Sequence, residues 1–175
     1  MTFDEHINFI RRVLNLKWYH SIVDNTSNID IIKYNEAKSL LKILKKNVFT
    51  NKFGTLAIRS NTGFITTTRG KRDNELCQVY SVDPINRNLV VSSKASMNAP
   101  FLWKIFNTHL NCKYILHAHK QINNYSTHEY VFPGTLEEDS VLIHNAFNIK
   151  HHGYYALFNS IKELYGWINT HHKTH

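Results

Sequence analysis

Phe53-Gly54-Thr55-Leu56-Ala57-Ile58-Arg59, followed by Ser60-Asn61-Thr62-Gly63 and then Phe64-Ile65-Thr66-Thr67-Thr68, is the stretch that sets the fold class. Two runs of apolar and β-branched residues flank a turn that contains glycine, which is the pattern of a β-hairpin. Downstream, Arg69-Gly70-Lys71-Arg72 makes a polar, basic loop. Strands are predicted at Cys77 to Val82 and Asn88 to Ser92, with the turn-forming Asp83-Pro84 between them. Upstream, Ala37, Leu40, Leu41 and Leu44 recur at a helical period and predict an amphipathic helix from Asn35 to Lys46. Phe3, Ile7, Ile10, Val13, Leu14 and Trp18 predict an earlier helix over residues 3–19.

The second half also mixes helices and strands. Pro100 suits the first turn of a helix from Ala99 to His109, Tyr114 to His119 reads as an apolar strand, and Gln121 to Phe132 as an irregular surface stretch. Thr135 is placed to cap a helix running to about Phe147. Tyr154 to Phe158 is a bulky strand, and Ser160 to about Asn169 a last helix ahead of a frayed tail over residues 170–175. With no repeat or linker in between, residues 1–175 are expected to form a single α/β domain of three layers.

Composition narrows the function classes. An apolar fraction of 42% and an aromatic fraction of 13% suit a folded core. The net charge of +8 comes from scattered lysines and arginines, and Lys42, Lys45 and Lys46 suit the solvated face and last turn of a helix. Nucleic acid, which needs a clustered basic footprint, is therefore not the expected partner. Cys77 and Cys112 fit neither a zinc knuckle nor a redox pair, which agrees with a reducing, cytoplasmic setting. Met1 to Ile10 carries no apolar signal core, and no apolar run approaches the ~18 residues of a membrane span.

Twelve histidines are present, and two of them, His117 and His119, flank Ala118 at the end of the predicted strand. Side chains alternate across a strand, so both imidazoles would project from one face. Neutral imidazole is the commonest protein ligand for transition metals, and an open catalytic zinc site takes three protein ligands. A third ligand must come from elsewhere in the chain.

The ordered set resembles the class II aldolase/adducin family over roughly residues 35–165. The likeness is carried by Gly54-Thr55-Leu56-Ala57-Ile58-Arg59, by Gly63-Phe64-Ile65-Thr66 followed by Arg69-Gly70, by His117-Ala118-His119, and by His151-His152-Gly153-Tyr154. It implies an αβα sandwich around a mixed, largely antiparallel sheet. It also implies a divalent metal, usually zinc, held by His117, His119 and His152. The implied substrate is a small phosphorylated sugar or hydroxy-ketone whose oxygens face the metal, which stabilises an enediolate as a Lewis acid. Its phosphate would lie near Thr55, Thr68, Gly70 and Ser96, with Arg69 or Lys71 as charge partners. Such proteins are commonly four-fold tetramers, so a homo-oligomer is implied too.

The sequence departs from the family where a glutamate carries the substrate proton. Matching letters puts Ser92-Ser93-Lys94 on the family's Ser-Ser-Glu; matching spacing puts Ser96-Met97-Asn98 there, with Pro100 on the family's proline. The second register needs no gap before His117, so Asn98 takes the glutamate position and Lys94 is the alternative. Neither is a carboxylate, and asparagine exchanges no proton near neutral pH. Thr55 also replaces a family asparagine. Two functions follow: an aldolase-like lyase in which Lys94, Glu129, a tyrosine between Tyr125 and Tyr130 or a metal-bound hydroxide carries the proton, or a non-catalytic, adducin-like binding module that retains the metal. The three histidines favour the first, and the missing glutamate favours the second.

Overall fold

The computed structural model describes residues 18–23, 29–49, 54–69, 76–129 and 145–171. In chain order the elements are β1 (Tyr19–Ile22), α1 (Ile31–Asn47), β2 (Thr55–Arg59), β3 (Phe64–Thr67), β4 (Leu76–Asp83), β5 (Asn88–Val91), α2 (Ala99–Thr108), β6 (Tyr114–Ala118), β7 (Thr127–His128), β8 (Ala146–Ile149), β9 (Gly153–Phe158) and α3 (Ile161–His171). All the strands join one sheet in the order β1-β5-β4-β3-β2-β6-β9-β8-β7. Only the outermost pairs, β1–β5 and β7–β8, are parallel. The sheet is thus mixed and largely antiparallel.

The hairpin forms as its sequence dictates, with Ala57 opposite Thr66 and Arg59 opposite Phe64. Its turn needs glycine: Gly63 has φ +84°, and a Cβ there would sit 2.1 Å from the Val79 carbonyl oxygen. Alternation along the strands sends side chains to two cores. Leu56, Ile58 and Leu116 pack with Leu40 and Leu44 of α1 and with Leu164 and Ile168 of α3. Ala57 and Ile115 face the other way, onto Leu102, Ile105 and Phe106 of α2. Helices therefore cover both faces, giving three layers.

Helix α1 starts four residues before its predicted start, because the Asp30 side chain accepts a hydrogen bond from the Lys33 backbone N–H and caps the first turn. Arg59 at the end of β2 anchors α2 from its other end. Its guanidinium donates to the carbonyls of Phe106 (2.6 Å), Cys112 (2.8 Å) and His109 (3.1 Å) and lies 4.8 Å from the Phe106 ring centroid. A cation bonded to these carbonyls pins the helix C-terminus to the sheet.

Three predicted elements differ. Tyr19, expected as the last residue of a helix over residues 3–19, instead opens β1, which pairs in parallel with β5; residues 3–17 of that helix lie outside the described residues. Ala146 and Phe147, expected as the end of the helix capped by Thr135, instead pair with Ala156 and Tyr155 in β8, and residues 135–144 lie outside the described set. Thr127 and His128, expected as irregular, form the short edge strand β7. In each case a neighbouring strand supplies partners that a local period does not reveal. Gly70, Lys71 and the tail beyond His171 also lie outside the described residues.

Candidate metal centre

Register brings the site together on the α2 face of the sheet. His117 of β6 lies opposite Thr55 of β2 on one side and Tyr155 of β9 on the other. It is fully buried and stacks on the Tyr155 ring at 4.3 Å between centroids and 19° between planes. Its Nδ1 lies 2.9 Å from the Tyr154 carbonyl oxygen, which can only accept, so Nδ1 carries the proton and donates. Nε2 is then a bare lone pair, and among the described residues it has no hydrogen-bond partner. Burial first, and then the neighbouring His119, hold the pKa of His117 well below the usual histidine value; the bond to Tyr154 opposes them and loses. The ring stays neutral, which is the ligating form.

His119 falls one residue past the strand and is exposed, so the His-x-His pair is half core and half rim. His152 is buried in the turn between β8 and β9. Gly153 is what allows that turn to close on β6. Its φ is +130°, and a Cβ would lie 2.0 Å from the Ala118 carbonyl oxygen and 2.8 Å from the His119 Cα. The ligand atoms of His117, His119 and His152 consequently all lie within 4.8 Å of one another. Three imidazoles, one of them with a desolvated and unbonded nitrogen, make a donor set that can hold a transition metal with a position left open.

The predicted ligand-binding residues separate. Thr55, Ser96 and Asn98 are buried and joined: Thr55 Oγ1 and Ser96 Oγ are 3.3 Å apart, and Asn98 Nδ2 donates to Thr55 Oγ1 at 3.4 Å. Asn98 stands at the N-cap position of α2 without a side-chain capping bond, its side chain turned to Thr55 instead. Its Oδ1 is buried with no partner among the described residues. Thr68 bridges to Ala95, next to Ser96, and its Oγ1 is likewise buried and without a partner there. Lys94 is exposed, and what it contributes is a carbonyl that accepts from the Arg69 N–H. It is therefore Asn98, not Lys94, that joins the cluster opposite His117.

Two features were not signalled by the sequence reading. Asn148 of β8, almost fully buried, holds the segment after His119: it accepts from the Ile122 N–H at 3.0 Å and donates to the carbonyls of Ile122 (2.9 Å) and Tyr125 (3.4 Å). Beside the histidines opens a cavity of about 660 Å³, lined by His119 and His152 together with Lys120, Lys150 and Glu129. Glu129, one of the proton carriers considered above, forms an exposed ion pair with Lys150 at 3.3 Å. Asparagines and lysines occur throughout this chain, so nothing local marks these.

Solved structures share the architecture. YgbL from Escherichia coli, provisionally assigned as an aldolase/epimerase/decarboxylase, superposes with a TM-score of 0.61 at 14% identity over 79% of this chain and 86% of its own. The chain has the class II aldolase fold. L-Fuculose-1-phosphate aldolase from Thermus thermophilus gives 0.59 at 15% identity, covering 78% of this chain and 87% of its own. Another L-fuculose 1-phosphate aldolase gives 0.61 at 15% identity, covering 81% and 82%. No family model matches the sequence, and no curated protein matches it. At such identities the likeness resides in the aldolase fold itself, and function must be argued from this chain's own residues.

Proposed function

We propose that this chain is a zinc-dependent, aldolase-like lyase acting on a small phosphorylated sugar or hydroxy-ketone, with His117, His119 and His152 as the metal ligands. The observation that carries the reading is the buried, unbonded Nε2 of His117, its tautomer set by the Tyr154 carbonyl, within 4.8 Å of the other two ligand atoms. Leaving such a group unsatisfied costs about 1–3 kcal/mol, which a metal would recover. When bound, the metal supplies Lewis-acid polarisation of a carbonyl. Thr55, Ser96 and Thr68 offer hydroxyls to the phosphorylated end, and Asn98 orients a hydroxyl through its open Oδ1 while holding no exchangeable proton. The proposal includes the homo-oligomer and the cytoplasmic setting expected above.

The buried amide at Asn98 supports a second reading: a binding module that keeps the metal and the ligand pocket without turnover. Metal analysis combined with a retro-aldol screen over phosphorylated ketoses separates the two. The lyase reading expects about one zinc per chain and cleavage of at least one ketose phosphate. Bound zinc without cleavage of any favours the binding module. The double variant His117→Ala, His119→Ala is expected to lose stoichiometric zinc, and zinc retained by it overturns the ligand assignment.

A further inference from the structure

The cavity beyond the histidines differs chemically from the Thr55–Ser96–Asn98 cluster, and no role has yet been assigned to it. We propose that it is an anion subsite, which receives a carboxylate or phosphate at the end of the ligand remote from the Asn98 pocket. This rests on His117, His119 and His152 holding the metal. Three neutral imidazoles bring no negative charge, so a dication bound to them stays uncompensated. The described walls add two ammonium groups, Lys120 and Lys150, against one carboxylate, Glu129. That carboxylate, its side chain 81% exposed, is paired with Lys150 in a solvent-screened contact that a better-placed anion can displace. Gln121 and Thr127 supply neutral polar groups in the same walls.

The placement of the two pockets points the same way. Thr55, Ser96 and Asn98 lie on the sheet face around His117 and take no part in the cavity, whereas His119 and His152 form part of its wall. A ligand chelated at the metal therefore has two separate environments for its two ends: hydroxyl and amide groups on one side, ammonium groups on the other. Like charges gathered beside a metal favour a ligand whose outer end is anionic. The substrate class narrows to compounds with a charged group at that end.

The test uses the zinc-loaded protein and three hydroxamates, which carry the same chelating group and differ only in the outer group: acetohydroxamate, malonate monohydroxamate and phosphonoacetohydroxamate. One or both anionic probes should bind about tenfold tighter than acetohydroxamate, with the preference shrinking as salt is raised. In Lys120→Gln, Lys150→Gln the preference should fall to about twofold while acetohydroxamate affinity holds, and Lys120→Arg, Lys150→Arg should restore it. The better of the two anionic probes identifies carboxylate or phosphate as the partner. Equal affinities for all three probes, or a preference unchanged in the double glutamine variant, overturn the subsite while leaving the metal reading intact. Protein that takes up no zinc overturns the metal reading, and the subsite with it.

Discussion

On one side of His117 stand His119 and His152; on the other, across the β2–β6 pairing, stand Thr55, Ser96 and Asn98. The first side is assembled under tight backbone constraint, by a left-handed glycine pressed against β6 and a histidine whose tautomer is set by a main-chain carbonyl. The second is assembled from hydroxyl and amide side chains and contains no group that titrates near neutral pH. His152 and the Thr55–Ser96–Asn98 cluster are buried, whereas His119 is exposed. Under the proposed function, metal binding and proton transfer would therefore rest on different residues, and each could be altered alone.

The largest effect is expected from restoring the missing group. Asn98→Glu, assayed with zinc present, should raise hydrogen exchange from solvent into dihydroxyacetone phosphate by about 100-fold, the usual worth of a placed general base. NMR of the substrate C–H signals reads this directly. An unchanged rate in a folded, zinc-bound variant would show that more than a carboxylate separates the two sides.

Gly153→Ala attacks the other side. The φ of +130° and the 2.0 Å approach to the Ala118 carbonyl oxygen leave no room for a Cβ. Urea unfolding in EDTA should show a loss of about 2–4 kcal/mol, and zinc affinity should drop as His152 is pushed away. Arg59→Leu provides a contrast outside both sides. Losing its bonds to the end of α2 should cost about 1.5–3 kcal/mol of stability with zinc stoichiometry preserved. A zinc loss there as well would mean that α2 and the histidines are less independent than the geometry indicates.

The smallest effect is a pH dependence of the metal-free protein. The folded pKa of His117 lies well below 6.5 because the ring is buried, so the unfolded chain binds the extra proton first. Stability from this group is complete above 6.5 and is lost as pH falls from there toward the folded pKa, by about 1 kcal/mol over the first unit. Urea midpoints measured in EDTA should follow this slope, and His117→Gln should flatten it.

Much of this molecule can be read from local chemistry. The hairpin, strands β4 to β6 and β9, and helices α1 to α3 follow from alternation, turn residues and helical period, because those patterns depend only on which face of an element meets the core. The same alternation predicts that His117 and His119 belong together. It does not predict that one is buried and the other exposed, because that depends on where β6 ends against β9. In the sequence, matching letters points to Lys94 and matching spacing, the preferred register, to Asn98. The buried bond from Asn98 to Thr55 and the exposure of Lys94 place only one of them in the cluster opposite His117. The strands β1, β7 and β8 likewise owe their identity to partners remote in sequence, and the Asn148 clamp and the lysine-lined cavity exist only once those strands are in register. Periodicity and residue chemistry thus determined most of the elements and nominated His117 and His119, while His152 was implied by the resemblance to the class II aldolase/adducin family. Long-range pairing decided which side chains meet, because hydrogen bonds between distant strands and the close approach at Gly153 are properties of the packed sheet and of no single segment.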